Sequence, residues 1–126
     1  MPLAREIVGG GISPVTASAL GGGSNSALAS LGTIQGDAAP IATTTTIVTG
    51  ADGTKGVILP ACGTGETVMV FNNSASTLKV WPPVGSAISV AGTGLGTANA
   101  SYAHTTYANC LYTCVSATQW LANKSA

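Results

Sequence analysis

The side chains that could act as nucleophiles or general bases are few and widely spaced in this chain of 126 residues. His104 is the single histidine, and Ser24 in GGGSNS follows glycines without forming the G-x-S-x-G elbow of serine hydrolases. A nucleophile needs a base within hydrogen-bond reach, and no such pair stands out. We therefore expect no enzymatic activity, and we interpret His104 as a surface or strand residue.

The acidic side chains do not suggest a catalytic pair either. Glu6, Asp37, Asp52 and Glu66 are well separated in the sequence, whereas a glycosidase needs two carboxyl groups flanking one bond. Asp37 in DAAP and Asp52 in ADGT have the sequence of turns, where an aspartate caps backbone N–H groups. The acids therefore predict turns.

The cysteines could contribute to a metal site only together with His104. Cys62, Cys110 and Cys114 show no C-x-x-C spacing, so we predict no metal and no other cofactor. MPLAREIVGG lacks the apolar segment of a secretory signal, and we therefore expect reduced thiols. On one strand, Cys110 and Cys114 would lie about 13 Å apart, too far for a disulfide.

Nucleotides, nucleic acids and membranes are not predicted partners. The glycine-rich GTGLG at 92–96 lacks the Lys-Ser/Thr that completes a phosphate loop. Charged residues are 6% of the chain and the formal net charge is zero, so no basic patch is available to neutralise phosphates. No apolar run reaches the roughly 18 residues of a transmembrane helix.

The composition instead favours an oligomer. Hydrophobic residues make up 45% of the chain, and 17 residues are glycine. With so few charges, solubility would depend on hydroxyl and amide groups. Association would remove weakly polar surface from water, so we expect more than one copy in the functional particle.

The chain divides near residue 42. Residues 1–41 contain two triple glycines and predict an extended N-terminal arm. One short helix could form in SNSALASLGTIQGDA, with Ser24 or Ser26 as N-cap and Gly32 or Gly36 at its end.

Residues 42–126 predict a β-rich body. Short, turn-bounded, β-branched segments recur at regular spacing, which is typical of an all-β fold. We expect a small antiparallel β-sandwich or jelly-roll-like body with strands in TTTTIVTG, KGVILPA, ETVMVFNN, TLKVWPPV, SAISVAG, SYAHTTY, NCLYTCVS and QWLAN.

ETVMVFNNSASTLKVWPP is the clearest predicted hairpin, with NNSAS as its loop. Both of its strands have alternating faces that each carry apolar residues, and such strands are covered on both sides. We predict that one set of these side chains meets another subunit: Met69, Phe71, Lys79 and Trp81.

Trp81 has three open interpretations. It could pack under the following loop, contact a subunit or partner as tryptophan often does, or form a platform for a sugar ring. Pro82 and Pro83 stop its strand from continuing in a ladder.

The stretch KGVILPACGTGETVMVFNNSASTLKVWPPVGSAIS resembles a module of small virion proteins from tailed bacteriophages. The shared pattern is a GV-LPA strand, a G-x-x-V-x-V-x-N strand, a polar loop and an L-V-Y/W-P-P-x-G-x-x-I segment. SATQWLA, with Thr118 and Trp120, matches a closing T-x-W element, and the likeness covers about residues 28–122.

The resemblance implies a capsid decoration (cement) protein of the virion surface, made in the cytoplasm of a bacterial host. It would bind the major capsid protein as a homotrimer and stabilise the assembled head. The arm would contact the capsid through Leu3, Arg5, Glu6, Ile7, Ile12 and Val15. One alternative is a fibre, spike or attachment knob; the other is a carbohydrate-binding module using Trp81, Trp120 and the tyrosines.

Overall fold

The protein is nearly all β-structure. The computed structural model describes residues 23–61, 63–90 and 95–124. Within those ranges the helical content is one 3₁₀ turn at Gln35–Asp37, and no helix there is long and apolar enough to cross a membrane. The strands are β1 Ser24–Ala29, β2 Ala39–Pro40, β3 Thr45–Thr49, β4 Gly56–Ile58, β5 Thr67–Asn72, β6 Leu78–Trp81, β7 Ala87–Val90, β8 Tyr102–His104, β9 Asn109–Ser116 and β10 Gln119–Lys124.

The strands form two sheets, and the chain passes back and forth between them. The six-stranded sheet has the order β1-β3-β5-β9-β10-β7, and the four-stranded sheet has the order β2-β4-β6-β8. From β1 to β9, successive strands therefore alternate between the two sheets. In the described part of the chain, only β9 and β10 follow one another within one sheet.

This winding overturns two expectations from the sequence. Strands β5 and β6 do not form a hairpin, because β5 pairs with β3 and β9 while β6 pairs with β4 and β8. The expectation of antiparallel sheets is also wrong for most strand pairs, because five of the eight strand pairings are parallel. Between β1 and β6, when the chain crosses to the other sheet and then returns, its next strand in the first sheet runs in the same direction as the earlier one. Neighbouring strands joined in this way are therefore parallel.

The short helix expected within residues 24–38 is also wrong. Ser24–Ala29 form β1, which pairs in parallel with β3, and Ala39–Pro40 form β2 beside β4. Backbone pairing with a neighbouring strand overrides the weak helical preference of this alanine- and serine-rich stretch. Part of the predicted arm therefore belongs to the sheets, and residues 1–22 lie outside the described residues.

One hydrophobic core cluster contains buried side chains from both sheets. Val48, Val70, Tyr112 and Trp120 of the six-stranded sheet are fully buried together with Val80 of the four-stranded sheet. The alternating pattern predicted for β5 and β6 is confirmed, because Val68, Val70, Leu78 and Val80 are the buried set.

The turn between β3 and β4 has the aspartate cap that ADGT predicts. Asp52 Oδ1 accepts hydrogen bonds from the Thr54 N–H at 2.9 Å, the Thr54 hydroxyl at 2.6 Å and the Lys55 N–H at 3.1 Å. The two bonds from Thr54, followed by that from Lys55, lower the pKa of this exposed carboxyl to about 2. Asp52 therefore shapes a turn.

Candidate interaction surfaces

The outer face of the six-stranded sheet is a broad surface without charged side chains. We define it by the residues of β3, β5, β9 and β10 that point away from the core: Thr45, Ile47, Thr67, Met69, Phe71, Asn109, Leu111, Thr113, Val115 and Leu121. Met69 is 36% exposed, Leu111 40% and Val115 50%. Large apolar side chains thus alternate with threonine and asparagine.

Strand register places the apolar members of this outer face side by side. Met69 on β5 lies opposite Leu111 on β9, and Ile47 on β3 lies opposite Phe71. The Asn109 Nδ2 group contacts Met69 Sδ at 3.4 Å. A contiguous apolar surface with neutral hydrogen-bonding groups is suited to a partner of the same neutral character.

The outer face of the four-stranded sheet carries Lys79 and Trp81, both partly exposed. Lys79 Nζ lies 6.0 Å from the centre of the Trp81 ring, within cation–π range. Gly56 on the neighbouring strand lies against this pair: a Cβ there would be 2.5 Å from the Lys79 carbonyl and 3.1 Å from Trp81 Cδ1. The close approach of β4 to the Lys79 backbone and the Trp81 ring therefore needs a glycine at position 56.

The four predicted interface residues do not form one surface. Met69 and Phe71 are on the six-stranded sheet, whereas Lys79 and Trp81 are on the four-stranded sheet, and each pair faces away from the common core. Sequence adjacency suggested a shared surface because β5 and β6 were expected to pair. The predicted arm contacts Leu3, Arg5, Glu6, Ile7, Ile12 and Val15 lie outside the described residues.

His104 is buried, so the surface interpretation of this residue is wrong. It lies on β8 with 1% of its surface exposed. Its Nε2 lies 2.7 Å from the Ala108 carbonyl oxygen, and its Nδ1 lies 2.9 Å from the Tyr112 hydroxyl. A carbonyl only accepts, so Nε2 carries the proton and Nδ1 accepts from Tyr112.

The same buried cluster contains other titratable groups held in their neutral forms. Burial raises the pKa of Tyr112 well above its ordinary range and raises the pKa of the Cys110 thiol. Tyr102 packs edge-on against both His104 and Tyr112, with ring centres 6.4 and 6.2 Å away. Because His104, Tyr112 and Cys110 are buried and neutral, the cluster is suited to holding the fold together.

Trp120 cannot serve as a ligand platform in this fold. It is fully buried in the core, opposite Cys114 on β9 and Ile88 on β7. The carbohydrate-binding alternative named Trp81 and Trp120 together, and only Trp81 is accessible to a ligand.

The cysteines differ in state. Both Cys110 and Cys114 point into the core from β9. Cys110 is a free thiol, as expected, whereas Cys114 is disulfide-bonded, so the expectation of reduced thiols is wrong for Cys114. Cys62 lies outside the described residues.

This difference predicts the reactivity of the two sulfurs. In denaturant without reductant, an alkylating reagent should modify Cys110 and leave Cys114 unmodified; after reduction both should react, as read by peptide mass spectrometry. Loss of the disulfide should lower the free energy of unfolding by about 2–4 kcal/mol. Reductant should still destabilise a Cys110→Ala variant and should have no effect on Cys114→Ala; alkylation of Cys114 before reduction would contradict the disulfide.

The described residues do not assemble a metal centre, since no group of three or more His, Cys, Asp or Glu side chains converges among them. A pocket of about 150 Å³ lies between Pro60, Glu66 and the threonines Thr43, Thr44 and Thr67. Glu66 is the one carboxylate among its described lining residues, so this pocket lacks the two carboxyl groups of a glycosidase.

The sheet register thus brings together an uncharged apolar surface that the sequence only half predicted. Leu111 and Val115, which carry much of its exposed area, have a strand-like alternation in NCLYTCVS that could have indicated them. Comparison of the chain with protein-family models, with curated proteins and with solved structures finds no match.

Proposed function

We propose that this chain is a non-enzymatic structural protein of a bacteriophage virion, a decoration (cement) protein that binds the assembled head as a homotrimer. The observation that carries the proposal is the outer face of the six-stranded sheet, where Met69 and Leu111 lie opposite each other and partly exposed, and where none of the residues that define the face is charged. An exposed surface of this kind on a small domain is typical of a protein-contact site.

In this proposal the two sheets form a β-sandwich with two distinct contacts. The uncharged outer face of the six-stranded sheet meets another copy of the chain. The part of the predicted arm that precedes β1, and the Lys79–Trp81 face, meet the capsid protein. Head stabilisation then follows from mass action, because a ligand that binds only the assembled shell opposes its dissociation.

The test combines mass in solution with binding to heads. Light scattering after gel filtration should give 36.6 kDa, three times the 12.2 kDa of one chain. The full chain should co-sediment with the heads of the phage that encodes it, and deletion of residues 2–15 should abolish co-sedimentation without changing the mass of the trimer. A monomer, or a full chain that does not co-sediment, would overturn the proposal; retained binding after the deletion would overturn the role of the arm alone.

Carbohydrate binding is the second candidate, favoured by the partly exposed Trp81 ring with Lys79 beside it. Sugar rings stack on such aromatic faces. Binding on a glycan array that is lost in Trp81→Ala and retained in Met69→Ala would support this candidate. An array without signal would exclude carbohydrate binding and retain the two virion roles. The fibre or knob differs from the decoration protein in predicting a trimer that does not bind heads.

A further inference from the structure

The pocket of about 150 Å³ lies at one end of the sheets, where two connections between them run side by side. Residues 42–44 belong to the β2–β3 connection, Pro60 follows β4, and residues 66–68 lead into β5. The side chains at 42–44 are alanine and threonine, and their small size leaves space that longer aliphatic chains would fill. A protein cavity of about this volume can take up a benzene ring, so the pocket has room for a small organic group.

The lining changes from a charged rim to an apolar floor. Ala42 and Glu66 are exposed, and Thr43 and Thr67 are half-buried. Val68 is 5% exposed and belongs to the hydrophobic core. A ligand that fits this gradient has an apolar part that contacts the floor and a polar end that remains at the rim.

Hydrogen bonds within the chain fix the wall at residues 43–44. The Thr43 hydroxyl donates to the Thr45 carbonyl at 3.0 Å and lies 2.9 Å from the Thr46 hydroxyl. The Thr44 carbonyl accepts the Met69 N–H of β5 at 2.7 Å. The pocket is therefore formed by the fold itself, before any ligand enters.

The turn before β5 holds the Glu66 side chain in place. The Glu66 N–H donates to the Gly63 carbonyl at 2.9 Å, and the Glu66 carbonyl accepts the Cys114 N–H at 2.9 Å. A Cβ at position 63 would lie 2.5 Å from Glu66 Oε1 and 2.8 Å from Glu66 Cδ. Because residue 63 is glycine, the carboxylate can rest against the backbone of this turn.

The lysines in the described ranges lie at the other end of the sheets. Lys55 precedes β4 and Lys79 lies opposite Gly56, the first residue of β4, whereas the pocket lies beyond the last residue of β4. Lys124 ends β10, beside the beginning of β9, whereas the backbone of Glu66 bonds near the end of β9. These lysines therefore leave the negative charge of Glu66 available to a cation from outside.

We propose that this pocket binds an alkylammonium group, the group that ends a lysine side chain. The alkyl chain contacts the apolar floor at Val68, and the ammonium group lies at the rim beside the Glu66 carboxylate. At the rim the ammonium group keeps its contact with water, so its charge is not buried. An anionic ligand would be repelled by Glu66, and a neutral one would lack the attraction between opposite charges.

This site is separate from the surfaces assigned to subunit and capsid contacts. Of its described lining residues, Thr67 alone belongs to the outer face of the six-stranded sheet. The proposal therefore stands or falls independently of the virion role, and it can be tested on the full chain alone.

The first test is an NMR titration of the unaltered full chain with n-butylammonium chloride at constant ionic strength. The methyl signals of Thr43, Thr67 and Val68 should shift and saturate. n-Butanol should bind about threefold to fivefold more weakly, the factor that a partly exposed ion pair contributes, and sodium butyrate should not bind. The absence of saturation at these residues, or equal affinity for the alcohol and the ammonium ion, would overturn the proposal.

Two carboxylate variants test the role of the charge. Glu66→Gln keeps the shape of the side chain, so it should bind n-butylammonium no more tightly than n-butanol. Asp37→Asn removes another exposed carboxylate, outside the pocket, and should keep the preference for the ammonium ion. A preference that persists in Glu66→Gln, or that is lost equally in both variants, would contradict a site at Glu66.

Two glycine variants test the position of the carboxylate. The methyl group of Gly63→Ala would displace the end of the Glu66 side chain and should weaken the preference for the ammonium ion without removing any charge. Gly36→Ala adds a methyl group with no atom within 4 Å and should have no effect. An undiminished preference in Gly63→Ala would overturn the geometry proposed for the bound ammonium group.

A lysine derivative separates the two sources of an alkylammonium group. If the pocket takes the side chain of a partner protein, Nα-acetyl-lysine methylamide should bind as n-butylammonium does and more tightly than the norleucine analogue, which lacks the ammonium group. If only n-butylammonium binds, the ligand is a small free amine. Binding of the norleucine analogue as tight as that of the lysine derivative would contradict recognition of the ammonium group.

Discussion

Replacing Trp120 by alanine should lower the free energy of unfolding by about 3–5 kcal/mol, a typical cost for removing a large core aromatic. Trp120 lies on β10, which pairs with β9 and β7, and its fully buried indole belongs to the core that both sheets share. A cavity there would loosen the contact between the sheets as well as the β9–β10 hairpin. Urea unfolding followed by far-UV circular dichroism measures the loss.

Two variants serve as controls for the Trp120 experiment. Trp120→Phe should cost much less, because the Trp120 Nε1 group has no hydrogen-bond partner to lose and much of the apolar volume remains. Trp81→Ala removes the same side chain from a partly exposed position and should also cost less. Equal losses for Trp120→Ala and Trp81→Ala would show that Trp120 is not the core residue described here.

Introducing a carboxylate at Leu111 should convert the proposed trimer to a monomer, a fall in mass from 36.6 to 12.2 kDa. Leu111 is 40% exposed and lies opposite Met69 at the middle of the uncharged outer face of the six-stranded sheet. An ionised glutamate buried there without a cationic partner would cost several kcal/mol per subunit. Light scattering at several concentrations measures the mass.

The matched control for Leu111→Glu is Val84→Glu. Val84 lies in the turn between β6 and β7 and is 80% exposed, so a carboxylate there stays in water and the mass should not change. Both variants should remain folded and show a cooperative unfolding transition, since exposed substitutions usually change the free energy of unfolding by about 0.5 kcal/mol or less. A Leu111→Glu protein that keeps the mass of the unaltered chain would show that this face is not the subunit contact.

The strands of the body could be predicted because their signal is local. Each predicted strand segment from TTTTIVTG to QWLAN contains an observed strand, and the alternation in ETVMVF already separated the buried Val68 and Val70 from the outward Met69 and Phe71. Period-two patterning is a property of consecutive residues, so no tertiary information was needed. The Asp52 turn was predictable for the same reason, since its hydrogen bonds span at most three residues.

Burial of isolated polar or aromatic residues was not predictable from the sequence. His104 and Trp120 both stand in strands with ordinary alternation, yet only the packing of β8 and β9 shows that the imidazole bonds to Tyr112 and Ala108. A side chain between two sheets and one on an outer face can have the same sequence neighbours.

The sequence by itself determined that the chain is β-rich, sparsely charged and divided into short strands, because these properties depend only on residue types and on the alternation of neighbouring residues. Only the tertiary structure decided which strands are partners. β5 and β6 are joined by five residues, as a hairpin would be, but Asn72 at the end of β5 is buried and bonds to carbonyls of the 73–77 loop and of the β8–β9 turn. The chain therefore crosses to the other sheet, and Met69 and Trp81 come to lie on different surfaces. Strand pairing is set by contacts between residues far apart in sequence, and a local pattern does not encode them.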